Sequence, residues 1–196
     1  MVIVFDLSGV IFNNGLAPAV KSISEKFNLN EKGVWDILSG KFSRDYRCGI
    51  ISSESFWQEV QEMLEVKDIA QIKQIFFDAY YPNDKMIEFV KELKQKGIKI
   101  GYLSNAPKDR SIYLEEKYHF LQYFDFGLSA WEANSGKPEL EIYKTLLEKF
   151  NLKAEEVLFV DDKEAFLVPA RELGMKTLQF ISIETTIQEI RLLNEN

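Results

Sequence analysis

Apolar and polar positions follow two different rhythms along the chain. Val2-Ile3-Val4-Phe5 is an unbroken apolar run, mostly β-branched, that stops abruptly at Asp6-Leu7-Ser8-Gly9-Val10. Such a run predicts a strand covered on both faces, as in the middle of a parallel sheet. Asp6 then stands at the carboxyl end of that strand, on the side of an open α/β sheet where ligands collect. A turn opened ahead of Gly9 would account for the same residue without any chemistry. After Asn13-Asn14-Gly15 the rhythm changes: segments 22–27, 31–38, 53–66 and 68–77 place apolar residues at helical spacing, best in Phe56, Val60 and Met63-Leu64. The economical expectation is a four-helix insert, closed by Tyr81-Pro82-Asn83, where the proline disfavours helix at Tyr81.

From Asp84 onward helix and strand alternate. Met86, Phe89, Val90 and Leu93 predict a helix that stops at Lys96-Gly97, and 98–103 predicts a strand ending in Ser104-Asn105. A helix through Ile112, Leu114 and Tyr118 precedes a short apolar stretch, 124–128, read as a third strand. Beyond Gly136-Lys137-Pro138 the pattern predicts a helix over 140–150 and a strand over 157–160 that runs into Asp161-Asp162. A helix over 165–173 stopped by Gly174, a strand over 176–180 and an amphipathic helix over 185–193 follow. The alternation predicts an α/β fold with a doubly wound, Rossmann-like parallel sheet. Its core takes residues 1–15 and 81–196, and residues 16–80 form an inserted helical cap.

Composition narrows the partners. With 196 residues, 46% of them hydrophobic, the chain has room for one full domain plus an insertion around an ordinary core. A formal charge of -7 and the lack of a basic stripe argue against nucleic acid. No apolar run approaches the ~20 residues needed to span a bilayer, which excludes a membrane role of that kind. One cysteine, Cys48, rules out an internal disulfide, and the first residues lack signal-peptide features, so the cytoplasm is the simplest location. The single histidine, His119, leaves no histidine-based triad, and both it and Cys48 read as structural.

Three strands should bring polar residues to one edge: Asp6 and Ser8, Ser104 and Asn105, Asp161 and Asp162. Each has a bland alternative. Asp161 with Glu164 fits a capping box, Ser104 or Asn105 a helix cap, and Lys137 a solvated loop held extended by Pro138. Taken together and in this order, the motifs Asp6-Leu7-Ser8-Gly9, Leu103-Ser104-Asn105, Gly136-Lys137-Pro138-Glu139 and Phe159-Val160-Asp161-Asp162 resemble those of the haloacid dehalogenase superfamily. The resemblance spans essentially the whole chain, and the phosphatase-like members, including the amino-terminal domain of soluble epoxide hydrolases, look most similar. It implies Mg²⁺ held by Asp6, the Ser8 carbonyl, Asp162 and Asp161, the last directly or through water. It further implies Asp6 as nucleophile, Lys137 between Asp6 and the phosphate, and the Ser104 hydroxyl and Asn105 backbone on phosphate oxygens. The residue types suit that chemistry independently, because an aspartate attacking a phosphomonoester at ~4 Å meets repulsion of about 4 kcal/mol at an effective dielectric of ~20, which a cation relieves.

Ser8 departs from the pattern. Phosphatases of the superfamily carry a second aspartate there that protonates the leaving oxygen and later activates water, and a serine hydroxyl titrates too high for either task. The expected function is therefore Mg²⁺-dependent hydrolysis of a small phosphomonoester through an aspartyl phosphate on Asp6, impaired at Ser8. Two alternatives stay open: a metal-independent haloacid dehalogenase-like hydrolase, and a catalytically weak protein that binds a phospho-ligand or a partner. Phe166 stands where relatives often place asparagine. Lys41, Arg44 and Arg47, set among Phe42 and Tyr46, read as a solvated face in preference to an anion contact.

Overall fold

The computed structural model describes residues 1–194. Five strands, β1 Val2–Phe5, β2 Lys99–Ser104, β3 Phe126–Ser129, β4 Val157–Asp161 and β5 Lys176–Gln179, form one parallel sheet in the order β3-β2-β1-β4-β5. The sheet is the one predicted, with strand bounds shifted by one or two residues. β1 is central, and Phe5 pairs with Tyr102 on one side and Val160 on the other, which sets Asp6 level with the ends of both neighbours. The strand order reverses between β1 and β4, the switch point at which open α/β sheets present their ligand crevice.

Every residue of β1 is buried, and alternate side chains serve different cores. Ile3 and Phe5 join an apolar cluster shared with Met86, Phe89 and the inserted helices; Val2 and Val4 join the opposite cluster, with Ile142, Tyr143 and Leu167. Covering both faces is what makes the unbroken apolar run necessary.

Between β1 and β2 lie α1 Leu16–Phe27, α2 Glu31–Ser39, α3 Lys41–Arg47, α4 Ser53–Met63, α5 Ile69–Asp78 and α6 Asp84–Gln95. The insert thus holds five helices where the periodicity predicts four. The extra one, α3, has seven residues between Gly40 and Gly49, too few for its Phe42 and Tyr46 to establish a period alone. Asn30, Ser52, Asp68 and Asn83 cap α2, α4, α5 and α6 by accepting backbone N–H bonds from the first turn. The two chain segments joining insert and core are laced together: Asn13 Nδ2 donates to Ala79 O at 2.9 Å, Tyr81 N to Asn13 Oδ1 at 2.8 Å, and Asn83 N to Ile11 O at 2.8 Å.

The remaining helices are α7 Lys108–Tyr118, α8 Ala130–Ala133, α9 Leu140–Lys149, α10 Glu164–Glu172 and α11 Ile183–Asn194. α8, one turn long with a Ser129 and Glu132 capping box, leaves no readable period in the sequence. Among the described residues, no helix is long and apolar enough to cross a membrane.

Candidate active site

β1 and β4 deliver three carboxylates to one point. The N–H of Asp6 donates to Val160 O at 2.8 Å, extending the ladder one residue beyond the strand and fixing where the side chain emerges. Asp161 ends β4 and Asp162 follows it. One oxygen from each of Asp6, Asp161 and Asp162 lies within 4.8 Å of the other two. Gly9 makes this approach possible: its φ is +109°, and a Cβ there would stand 2.7 Å from the Asp162 Cγ. Glycine is needed at that position for the backbone and for the space alike.

Lys137 stands between two of the acids, Nζ donating to Asp6 Oδ1 at 2.7 Å and to Asp161 Oδ2 at 2.6 Å. Its ammonium also lies 5.4 Å and 5.2 Å from the ring centroids of Phe159 and Phe166, where ring electrons favour a cation. Phe166, the departure noted in the sequence, therefore contributes a wall to the lysine, and its carbonyl accepts the Tyr143 hydroxyl at 2.6 Å. Asn105 clamps the backbone of Lys137, Nδ2 donating to Lys137 O and Oδ1 accepting from Lys137 N, each at 2.9 Å. Ser104 is fully buried, and its hydroxyl accepts the Ala106 N–H at 3.1 Å. Ser8 is half-buried and lines, with Asp6, Asn105 and Lys137, a cavity of about 380 Å³ beneath the insert.

The cluster is short of positive charge. Burial pushes Asp6 up to about 7; Lys137 opposes that shift, and Asp161 and Asp162 add to it. Asp162 is raised too, first by burial. Burial alone would lower Lys137, but Asp6 and Asp161 more than offset it and the ammonium is held firmly protonated. Asp161 Oδ1 accepts the Lys163 N–H at 2.9 Å, whereas Asp162 Oδ1 is buried with no partner. Three carboxylates around one ammonium, one of them with an orphaned oxygen, suit a hard divalent cation with oxygen ligands.

The basic residues of α3 divide. Lys41 pairs with Asp45 at 2.8 Å, and Arg44 pairs with Glu139 and Asp45, so for these two the solvated face holds. Arg47 breaks that expectation by lining the cavity, as does Arg110 of α7, a residue the sequence reading passed over. Residues three apart on a helix are offset by about 60°, so Arg47 stands about 120° around α3 from Lys41, next to buried Tyr46, and need not share the lysine's face. His119 is the left-handed cap of α7 and Cys48 is buried, both structural as expected.

Comparison with known proteins bears on the family and the fold. A family model described as haloacid dehalogenase-like hydrolase matches residues 1–174. The sesquiterpene phosphatase AstK of Aspergillus oryzae is 24% identical over 193 residues, covering 97% of this chain and 94% of that protein. Bifunctional epoxide hydrolase 2 of Rattus norvegicus is 27% identical over 95% of this chain, which spans only 37% of the rat protein's length. A HAD family enzyme of Bacteroides thetaiotaomicron, solved with magnesium and inorganic phosphate, superposes with a TM-score of 0.73 at 22% identity over 90% of this chain and 92% of that one. The strand order, the insert after β1 and the match over residues 1–174 together make this chain a member of the haloacid dehalogenase-like hydrolases.

Proposed function

We propose that the protein is a Mg²⁺-dependent hydrolase of small phosphomonoesters that works through an aspartyl phosphate on Asp6. The observation that carries this reading is the under-neutralised cluster: Asp6, Asp161 and Asp162 within reach of one ion, Lys137 as the ammonium bonded to Asp6 and Asp161, and the partnerless Asp162 Oδ1. Residues 1–15 and 81–196 serve as the catalytic core and residues 16–80 as a cap over the cavity. Asp6, Asp161, Asp162 and the Ser8 carbonyl would hold the cation. When bound, the ion would offset the charge on the phosphoryl oxygens as the anionic nucleophile approaches.

Asp6 supplies the attacking oxygen. A new bond forms from its carboxylate to phosphorus, the ester P–O bond breaks, and the leaving oxygen takes a proton from solvent water. Water then attacks phosphorus, the bond to Asp6 breaks, and inorganic phosphate leaves with the carboxylate restored. Lys137 keeps Asp6 oriented and gives the phosphoryl group a positive neighbour, and Asn105 keeps Lys137 in place. Asn105 lines the cavity just past the end of β2, and its backbone with the Ser104 hydroxyl would receive phosphate oxygens.

Ser8 shapes which substrates turn over. Its hydroxyl lines the cavity at the position where an acid would serve, and it holds its proton near neutral pH. Lacking a general acid and base costs ~10²–10⁴ in rate, most for alkyl phosphates, whose alkoxides need a proton. Aryl and acyl phosphates suffer less, so the first step outpaces the second. Intact-mass spectrometry after mixing with acetyl phosphate and Mg²⁺ is expected to find one added phosphoryl group, absent in Asp6→Asn, and Ser8→Asp is expected to raise turnover of alkyl phosphates. No phosphoenzyme in either form, with Ser8→Asp inert across a broad panel of esters, would leave ligand binding as the function. The dehalogenase reading is weaker, since Asp161 and Asp162 add negative charge where a haloacid would bring more; a haloacid in the same panel tests it.

A further inference from the structure

The cavity above Asp6 is more basic than the transfer of one phosphoryl group requires. Arg47, Arg110, Lys137 and Lys163 line it against one carboxylate, Asp6. Lys137 is engaged by Asp6 and Asp161. Neither arginine pairs with an acid among the described residues. Arg110 is only 4% exposed, no ion pair or hydrogen bond among the described residues engages its guanidinium, and its buried Nε has no partner. The guanidinium lies 3.9 Å from the ring centroid of Tyr80 and 5.6 Å from that of Phe76, which hold its plane without cancelling its charge.

The nearest acid in sequence, Asp109, is committed elsewhere, to Tyr46, Trp57 and Lys73. Arg47 makes one weak side-chain bond, Nη1 to Ser43 Oγ at 3.3 Å, and feels Arg110: burial first, then that like charge, lowers its pKa. Two guanidiniums lining one cavity, Arg110 buried and Arg47 half-buried, oppose folding unless an anion joins them. Neither is bonded to Asp6, and the aromatic neighbours of Arg110, Phe76 and Tyr80, come from the insert and its exit, remote in the chain from β1 and β4.

We infer that Arg47 and Arg110 form a second anion subsite, so that the substrate is a small phosphomonoester that also carries a carboxylate or a second phosphate. The inference rests on the phosphohydrolase reading above. Planar guanidinium forks match either anion through paired hydrogen bonds. A cavity of about 380 Å³ is near the small end of the ~300–1,000 Å³ range of small-molecule sites, which limits the frame between the two anions to a short one.

Calorimetric titration of the full chain with Mg²⁺ present tests this with paired probes: 3-phosphoglycerate against glycerol 3-phosphate, fructose 1,6-bisphosphate against fructose 6-phosphate, and inorganic phosphate. At least one doubly anionic probe is expected to bind at least about tenfold tighter than its partner, and Arg47→Gln and Arg110→Gln are each expected to remove most of that preference while weakening inorganic phosphate far less. The preferred pair tells a carboxylate from a second phosphate. Arg110→Gln is expected to melt no lower than the parent, because the charge it removes is buried and pairs with no acid among the described residues. Equal binding within both pairs, or an equal loss for every probe including inorganic phosphate, would overturn the subsite and leave the phosphohydrolase reading standing. Failure of inorganic phosphate and all the esters to bind with Mg²⁺ would sink both.

Discussion

Two aspartates, Asp6 buried and Asp109 half-buried, show how one residue type is put to opposite uses. Asp109, at the start of α7, has three side-chain partners on the insert: the Tyr46 hydroxyl, Trp57 Nε1 at 3.1 Å and Lys73 Nζ at 2.9 Å. These partners stand on α3, α4 and α5, so a single carboxylate of the core ties down three inserted helices. Burial acts to raise its pKa, but the bonds from Tyr46 and Lys73 win and hold the carboxyl below its usual range. Asp6 shares one ammonium with Asp161, lies close to Asp162, and is driven up to about 7. A carboxylate whose donors outweigh its burial is a strap. One whose neighbours are further carboxylates is held in a state that folding alone does not favour, and such sites are where function is found.

The largest effect is expected from removing the one cation of the Asp6 cluster. Lys137→Met takes the paired ammonium from buried Asp6 and Asp161, and stripping one partner from a buried ion pair costs about 3–5 kcal/mol. Urea unfolding in a chelating buffer should register that loss, with Mg²⁺ returning part of it. A variant as stable as the parent would mean that the carboxylates shed their charge without difficulty, and the contrast with Asp109 would collapse. A smaller loss, about 2–4 kcal/mol, is expected for Asp109→Ala, which leaves the Tyr46 hydroxyl and Trp57 Nε1 without their acceptor in a mostly buried setting. Mg²⁺ should return none of it.

How much of this could be read in the sequence follows the same division. The sheet was legible because β1 is covered on both faces and has to be apolar throughout, and because Gly97 and Gly174 stop the helices before β2 and β5. The convergence of Asp6, Asp161 and Asp162 was legible because parallel strands end at one edge, whereas Lys137, in the loop between α8 and α9, was legible only through the family motif. The insert was less so. α3 is too short to show a period, and Arg47 was read as solvated because a charged residue carries no mark of the face it occupies. Arg110 was passed over although its place in the first turn of α7, just beyond Ser104-Asn105, was a signal that could have been used. The partners of Asp109 lie 36 to 63 residues away on three other helices, and nothing local to Asp109 announces them.

The smallest expected effect is the pH dependence of the Asp109 strap, and its sign distinguishes a strap from a poised acid. The folded pKa of Asp109 is below its ordinary value of 3.8, so the stability it contributes is fully present above that value and is lost as pH falls through the folded pKa. The window lies below about pH 4. The change is modest because a protonated Asp109 keeps an oxygen that can still accept from Tyr46 or Trp57, and only the ionic share with Lys73 disappears. Urea unfolding of the parent and of Asp109→Asn should differ most near pH 6, and the gap should narrow toward pH 3. A gap that stays constant across this range would mean that Asp109 owes nothing to its ionised form; a gap that widens as pH falls would place Asp109 with Asp6, among the carboxylates that folding prefers to neutralise.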